Sequence, residues 1–363
     1  AGDLTNKTAN PRLFHRLQDY SVRTSWKQEL KPRLTKIFDG AVYRPIIERM
    51  DAKPRKSLAG RKPTDRVLMF KVLILQRLHN LADERLEFQI KDRLSFVRFL
   101  GLELAGNVPD ARTVWAFREE LKEHHLVDAL FDAFNAQLLG LGVAMKSGQI
   151  IDATFVPVPI QRNSRSDNKA VKAGDTPSDW SDKKAAHKDL DARWTKKNNQ
   201  SHYGYKGHIN IDAVSKVITQ WVATDASVHD SQAIEAVLRP AHEGGANVHA
   251  DSAYRSAQIE ALLANKQLTS HIHERAYKDA PLTDEQNANN KVKSKLRARV
   301  EHVFGHMQTA MGGMLIRSIG FARAHVAIGL MNLTYNLSRI ECLIRHQKIK
   351  LNRVGKIGAP CGA

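Results

Sequence analysis

Gln149-Ile150-Ile151-Asp152-Ala153-Thr154-Phe155-Val156-Pro157 is a mainly β-branched and apolar run closed by proline, and it reads as a strand. Downstream, Gly207-His208-Ile209-Asn210-Ile211-Asp212-Ala213 alternates with period two, and a Ser215-Lys216 turn leads into Val217-Ile218-Thr219-Gln220-Trp221-Val222. That pair predicts an antiparallel hairpin. His229-Asp230-Ser231 caps a helix to about Ala241, Asn247 to Asp251 is a short strand, and Ser256 to Asn265 is a helix. Leu268 to His273 is a further strand, and a long helix begins near Asn290. The order is three strands, helix, strand, helix, strand, helix, which places the chain in the α/β class. Between the first two strands, residues 160–205 are rich in Asp, Ser, Lys and Asn. A segment of that length inside a hairpin is either functional or disordered.

Upstream of the strand the period is helical. Thr64 or Asp65 caps a helix in which Val67, Leu68, Phe70, Val72, Leu73, Leu75 and Leu78 recur too densely for a one-faced surface helix, so it is expected to be central and buried. Glu84 to Leu100 follows, with Leu86, Ile90, Leu94 and Val97 on one face, then Ala111 to Glu123 capped by Asp110. Helix, turn and basic helix can form a DNA reader or be a plain packing unit.

The 363 residues carry 56 Lys and Arg against 38 Asp and Glu, a formal net charge of +18. Composition excludes a disordered, collagenous or disulfide-stapled chain, and the length suggests two or three domains. The most apolar stretch, Met307 to Leu333, is interrupted by glycines and by Arg317, Arg323 and His325, so no membrane span is expected. With no basic, apolar, small-residue pattern in the first residues of the sequence, export is not expected, and the two cysteines, Cys342 and Cys361, fit a reducing cytosol. Residues 1–60 hold 13 basic and 6 acidic side chains, residues 208–290 hold 6 and 11, and residues 291–363 hold 13 and 2. Positive ends around a net-acidic stretch point to an anionic partner such as nucleic acid.

Three acids stand at informative places. Asp152 lies within the first strand among apolar residues, Asp251 ends the fourth, and Glu301 lies on the late helix beside Val300, Val303 and Phe304. Together they would offer hard oxygen ligands for Mg²⁺ or Mn²⁺. Two such ions about 4 Å apart promote phosphodiester displacement. The plainer alternatives are a strand-end turn for Asp251 and a helical ion pair between Arg297 and Glu301. His302 and His306 have i, i+4 spacing but no third partner, and read as packing or DNA contacts. His271 and His273 alternate with Ile272 and are expected to face solvent.

With these residues in place, the chain resembles the DDE transposases of bacterial insertion sequences, more narrowly the insertion-sequence "five" family. The resemblance rests on Ile151-Asp152-Ala153-Thr154, Asp191 to Lys197, His202-Tyr203-Gly204-Tyr205-Lys206-Gly207-His208, Val228 to Ser231, Ala250 to Tyr254, and Arg297-Ala298-Arg299-Val300-Glu301-His302-Val303-Phe304-Gly305. It covers most of the chain. It implies a ribonuclease H-like mixed sheet flanked by helices, preceded by an all-α N-terminal DNA-binding domain. The expected divisions are a basic arm at 1–60, a helical DNA-binding domain at 61–145, a catalytic domain at 146–345 with its polar insertion at 160–205, and a basic tail at 346–363.

The resemblance also assigns Asp152, Asp251 and Glu301 as a metal-binding catalytic triad using Mg²⁺, with Mn²⁺ as a substitute. DNA contacts are expected from Arg297, Lys293, Lys295, Arg299, Tyr203, Tyr205, Lys206, His208 and Arg112. The implied partners are double-stranded DNA, as terminal inverted repeats and target, and a second copy of the chain in a synaptic homodimer. The expected location is the cytoplasm, at the nucleoid. Where relatives carry a Tyr-Arg-Glu-Lys signature, this chain has Ser294 at the Tyr position and Gln308 at the Lys position. The rival readings are a metal-dependent nuclease without strand transfer and a domesticated DNA-binding protein.

Overall fold

Asp65 accepts a hydrogen bond from the Leu68 amide at 2.9 Å, satisfying one of the free N–H groups that open a helix. In the computed structural model, which describes residues 38–349 apart from 39, 52–62, 104–105, 144, 198 and 278–279, α1 (Gly40–Ile47) precedes the helix that Asp65 opens, α2 (Arg66–His79). Nine of its fourteen residues, from Val67 to Leu78, are buried, so α2 is central as its dense apolar pattern predicts. The single helix expected over 84–100 is two, α3 (Asp83–Asp92) and α4 (Leu94–Leu100). Arg93 between them is extended, at φ −112° and ψ 110°. The break leaves Leu94 57% exposed and turns Phe96, Phe99 and Leu100 inward, where their apolar surface is removed from water. Asp110 caps α5 (Ala111–Glu123) through the Thr113 amide at 2.7 Å, and α6 (Val127–Gly140) completes the helical region.

The sheet begins at β1 (Gln149–Pro157). The polar segment after it is structured, not a bare loop. It contains α7 (Arg165–Ala173), capped by a Ser164–Asp167 capping box, α8 (Asp182–Ala186), capped by Ser181, and β2 (Arg193–Lys197). Its abundant Ser and Asp are therefore helix caps and turn formers. Asp189, buried, accepts from the amides of Asp191 and Ala192 and from the Tyr205 hydroxyl. β2 pairs antiparallel with the outer end of β3 (Gln200–Asp212), which starts earlier than its alternation predicts.

β3 pairs antiparallel with β1 on one side and with β4 (Ile218–Asp225) on the other. The chain then passes through α9 (Ile234–Val237) and α10 (Ala241–Gly244) to β5 (Asn247–His249), which is parallel to β1. From there α11 (Ala257–Asn265) leads to β6 (Thr269–Ser270), parallel to β5. The lateral order β4-β3-β1-β5-β6 is the mixed sheet expected of a ribonuclease H-like fold. The late helix is interrupted. α12 (Asp284–Arg297) gives way to a tight turn, then α13 (Glu301–Gly305), a π-helical stretch over 306–310, and α14 (Phe321–Arg345).

Period two sends the residues of β1 to opposite faces, and both are covered. Ile151 packs with Ile234, Val248, Tyr254, Ile259 and Leu263 under α9 and α11. Ile150 and Val156 belong to the larger core, shared with Val300, Val303, α14 and the N-terminal helices from Tyr43 to Leu138. α14 is anchored on the sheet by Asn336, which accepts from the Ile218 amide and donates to the Ile218 carbonyl, both at 2.8 Å. Arg323 at its start grips Glu119 of α5 with two nitrogens, at 2.6 and 2.7 Å. The helical region and the sheet thus have one continuous hydrophobic core. Among the described residues no helix is long and apolar enough to cross a membrane. Most of the basic arm expected at 1–60, and the tail beyond 349, lie outside the described residues.

Candidate active site

Asp152 sits mid-strand on β1, on the same face as Ile150 and Val156, and only 9% of it is exposed. The parallel register pairs Gln149 with Val248 and Ile150 with His249. Asp251 follows two residues after the last of these pairs, at the end of β5 nearest Asp152, and its charge is felt there. The pairing stops at His249, and Asp251 instead caps a short 3-10 turn over 252–254 through the Ala253 amide at 2.8 Å. The strand-end turn and the acidic site are thus the same residue.

Glu301 reaches this place because α12 is docked against the chain following β6. Asn290 exchanges hydrogen bonds with the backbone of Glu274, at 2.9 and 3.1 Å. Lys293 donates to the Ile272 carbonyl at 2.9 Å, and Ser294 Oγ lies 3.0 Å from His273 Nε2. Beyond Arg297 the backbone tightens to i→i−3 hydrogen bonds, from Val300 to Arg297 and from Glu301 to Ala298. Val300 and Val303 are buried against the β1 face, while the Glu301 side chain is 59% exposed. At this junction Arg297 donates to Asp152 Oδ2 at 3.0 Å and to Glu301 Oε1 at 2.7 Å. One guanidinium joins the strand acid to the helix acid.

Burial pushes the Asp152 carboxyl up to about 6, with Asp251 adding to the rise; the Ala153 amide and Arg297 oppose it. Tyr254, 1% exposed, lies in the field of Asp152, Asp230 and Asp251, and burial with these charges raises its phenol well above the ordinary value. Its hydroxyl is buried with no hydrogen-bond partner among the described residues. Carboxylates are the hard oxygen donors a hydrated divalent cation takes, and here buried Asp152 is joined to Glu301 through Arg297. As the side chains stand, Arg297 supplies the positive charge, and among the described residues no three His, Cys, Asp or Glu side chains are gathered at metal-holding separation.

The residues expected to contact DNA divide sharply. Tyr203, Tyr205, Lys206 and His208 are 8%, 0%, 7% and 0% exposed, because β3 is an inner strand covered on both faces. Tyr205 donates to Asp189 at 2.8 Å, and His208 Nε2 lies 2.9 Å from Thr224 Oγ1. Burial pushes His208 down to about 4. Lys206 donates to Asp230 Oδ1 at 2.8 Å and to the Val228 carbonyl at 2.6 Å. These four are therefore packing residues, not a platform for a strand end. Lys293 is tied to Ile272 and Glu274, and Arg299 donates to the Ala213 carbonyl, so both fix α12 and the turn after it. Lys295 and Arg112 are exposed. His273, expected to face solvent, is buried against Ser294, the residue at the signature's Tyr position. Gln308, at the Lys position, is exposed on the π-helical stretch.

Asp230 and Tyr254 are the neighbours the sequence reading left without a role. Asp230 lies in the run Val228 to Ser231 and Tyr254 in Ala250 to Tyr254, close in sequence to strand ends.

Residues 144–337 match the family model described as a transposase DDE domain, and residues 25–120 match that of a transposase domain, DUF772. A solved structure, the cryo-EM structure of the piggyBac transposase synaptic complex with hairpin DNA, aligns at a TM-score of 0.44 and 13% identity. That alignment covers 89% of this chain and 77% of the other.

Proposed function

The chain belongs to the transposase DDE domain family, and we propose that it cleaves DNA at the terminal inverted repeats of a mobile element and joins the freed 3′ ends to target DNA. The observation that carries this reading is the bridge of Arg297 between Asp152 and Glu301, which brings a strand acid and a distant helix acid to one place.

The chemistry is two in-line phosphoryl transfers. Water first attacks the phosphodiester at the element's end, leaving a 3′-hydroxyl and a 5′-phosphate. The 3′-hydroxyl then attacks a target phosphodiester, forming the new strand and releasing a target 3′-hydroxyl. Mg²⁺, with Mn²⁺ as a substitute, would be held by Asp152 with Asp251 and by Asp152 with Glu301, supplying the charge that activates the nucleophile and stabilises the leaving oxygen. Asp152 must be ionised for this, and Arg297 and the Ala153 amide favour that form. Arg297, freed from one carboxylate, can grip the adjoining phosphate. Lys295 and Arg112, both exposed, would contact the DNA backbone.

The divisions read from the sequence, a helical DNA-binding domain at 61–145 before a catalytic domain at 146–345, belong to this proposal. So do a homodimer that pairs two ends and a place in the bacterial cytoplasm on the nucleoid.

The test is purified chain with labelled terminal-repeat DNA, a target plasmid and Mg²⁺ or Mn²⁺. Joined product that disappears in Asp152→Ala supports the proposal. Nicking without joining favours a nuclease, and binding without cleavage, unaltered by Asp152→Ala, leaves a DNA-binding protein.

A further inference from the structure

Where α2 ends, α3 begins and the segment before α14 crosses them, the surface sinks into a cleft of about 510 Å³. Four arginines line it: Arg77, Arg118, Arg317 and Arg323. Their charges are unevenly matched. Arg118 is held by both oxygens of Asp83 at 2.8 Å, and Arg323 is held by Glu119. Among the described residues Arg317 reaches the neutral Asn80 Oδ1, at 3.0 Å, and forms no ion pair. Arg77 forms no ion pair among the described residues, and its Nε is buried without a hydrogen-bond partner. Burial beside Arg118 and Arg317 pushes Arg77 down from 12.5 to about 10, against the pull of Asp83. Trp115, 48% exposed, stands at the wall of the cleft, and Glu84 at its rim is exposed.

A guanidinium with a buried Nε that has neither a hydrogen-bond acceptor nor an ion pair is costly. Arg77 recovers part of that cost in the last turn of α2, where the helix dipole favours a cation. The dipole does not account for Arg317, a second unmatched arginine delivered to the same cleft and fastened there: Asn80, which receives it, also donates to the Gly312 carbonyl at 3.0 Å. Two cations that form no ion pair among the described residues, beside an exposed indole, suit a phosphate with an aromatic base next to it. We propose that this cleft binds a DNA strand, with Arg77 and Arg317 on one backbone phosphate and a neighbouring unpaired base against Trp115. The proposal rests on the DNA-acting reading above and adds a site remote from Asp152, Asp251 and Glu301.

The experiment uses the full chain, a short duplex and the matching single strand, both of generic sequence, titrated over a salt series, with thermal melts recorded without DNA. Arg77→Met and Arg317→Met should each weaken binding and lower the slope of log K against log salt, the two together by about one, the share of one phosphate. Trp115→Ala should weaken single-strand binding roughly tenfold. Arg77→Met should melt no lower than the parent, because it removes a buried charge that lacks a partner. Arg317 is exposed, so its variant tests the site even where Arg77→Met folds poorly. Unchanged salt slopes in both methionine variants would overturn the proposal, leaving Arg77 as a helix-end cation. A parent chain that binds neither DNA overturns the DNA-acting reading itself, a result distinct from an unchanged slope.

Discussion

Arg297 on α12 donates to the Oδ2 of Asp152 on β1 at 3.0 Å, across 145 residues of sequence. Both side chains are largely shielded, 22% and 12% exposed, so this pair is worth more than a surface ion pair. Replacing Arg297 by Ala in the metal-free chain should cost on the order of 2 kcal/mol at neutral pH, because it leaves a buried carboxylate without its counter-charge. The loss should shrink in Arg297→Ala combined with Asp152→Asn. Urea melts of the four chains give the coupling directly, and additive losses would show that the contact contributes nothing.

Asp152 alone makes a pH-dependent prediction. Its folded midpoint is about 6 against 3.8 unfolded, so the folded chain binds this proton more tightly. The contribution is fully present below about 3.8 and is lost as pH rises through 6. Asp152→Asn keeps the neutral form at every pH. It should therefore come close to the parent near pH 4 and become more stable above pH 7, by an amount on the order of 3 kcal/mol. Melts in chelator across that range check it; a difference independent of pH would contradict the burial argument. The same variant should lose DNA cleavage, which sets stability against function at one residue.

How much of this was legible in the sequence depends on whether short-range pattern or long-range packing decides. The β-branched run of β1 and the buried Asp152 within it were readable, as were the dense apolar α2 and the caps Asp65 and Asp110, because each follows from local periodicity or backbone satisfaction. The hydrophilic β2, Arg193–Lys197, was not, since its strand character comes only from pairing with β3. Lys206 looked like a DNA contact because, with Tyr203, Tyr205 and His208, it mixes basic and aromatic side chains in one short run. Asp230, 24 residues on, turns it inward. The acids themselves were legible by position, but Arg297 joining two of them depends on how α12 docks on Glu274 and Ile272.

The Lys206–Asp230 pair gives a third prediction. The two side chains are 9% and 11% exposed, and Lys197 approaches Asp230 only to 3.9 Å. Lys206→Ala should therefore destabilise the chain by about 3 kcal/mol, through an uncompensated buried carboxylate. Lys206→Met with Asp230→Leu should recover most of that loss. A melt in which the single and double variants lose equally would mean that the strand needs the lysine for packing and not for charge.

Gly329 on α14 gives the fourth, at the seam between the helical region and the sheet. A Cβ there would lie 2.6 Å from Trp221 Cζ2 on β4 and 2.7 Å from Val127 Cγ2 on α6. Neither neighbour can yield easily, because Trp221 is 7% and Val127 1% exposed in the shared core. Gly329→Ala would normally favour a helix by up to about 1 kcal/mol. Here the overlap should win and cost about 1–3 kcal/mol, forcing α14 off one of its two supports. Val127→Ala in the same chain opens one side of the contact and should return part of the loss. If Gly329→Ala instead raises the melting temperature, α14 is not wedged between the two layers, and the single continuous core must be looser than its side-chain packing requires.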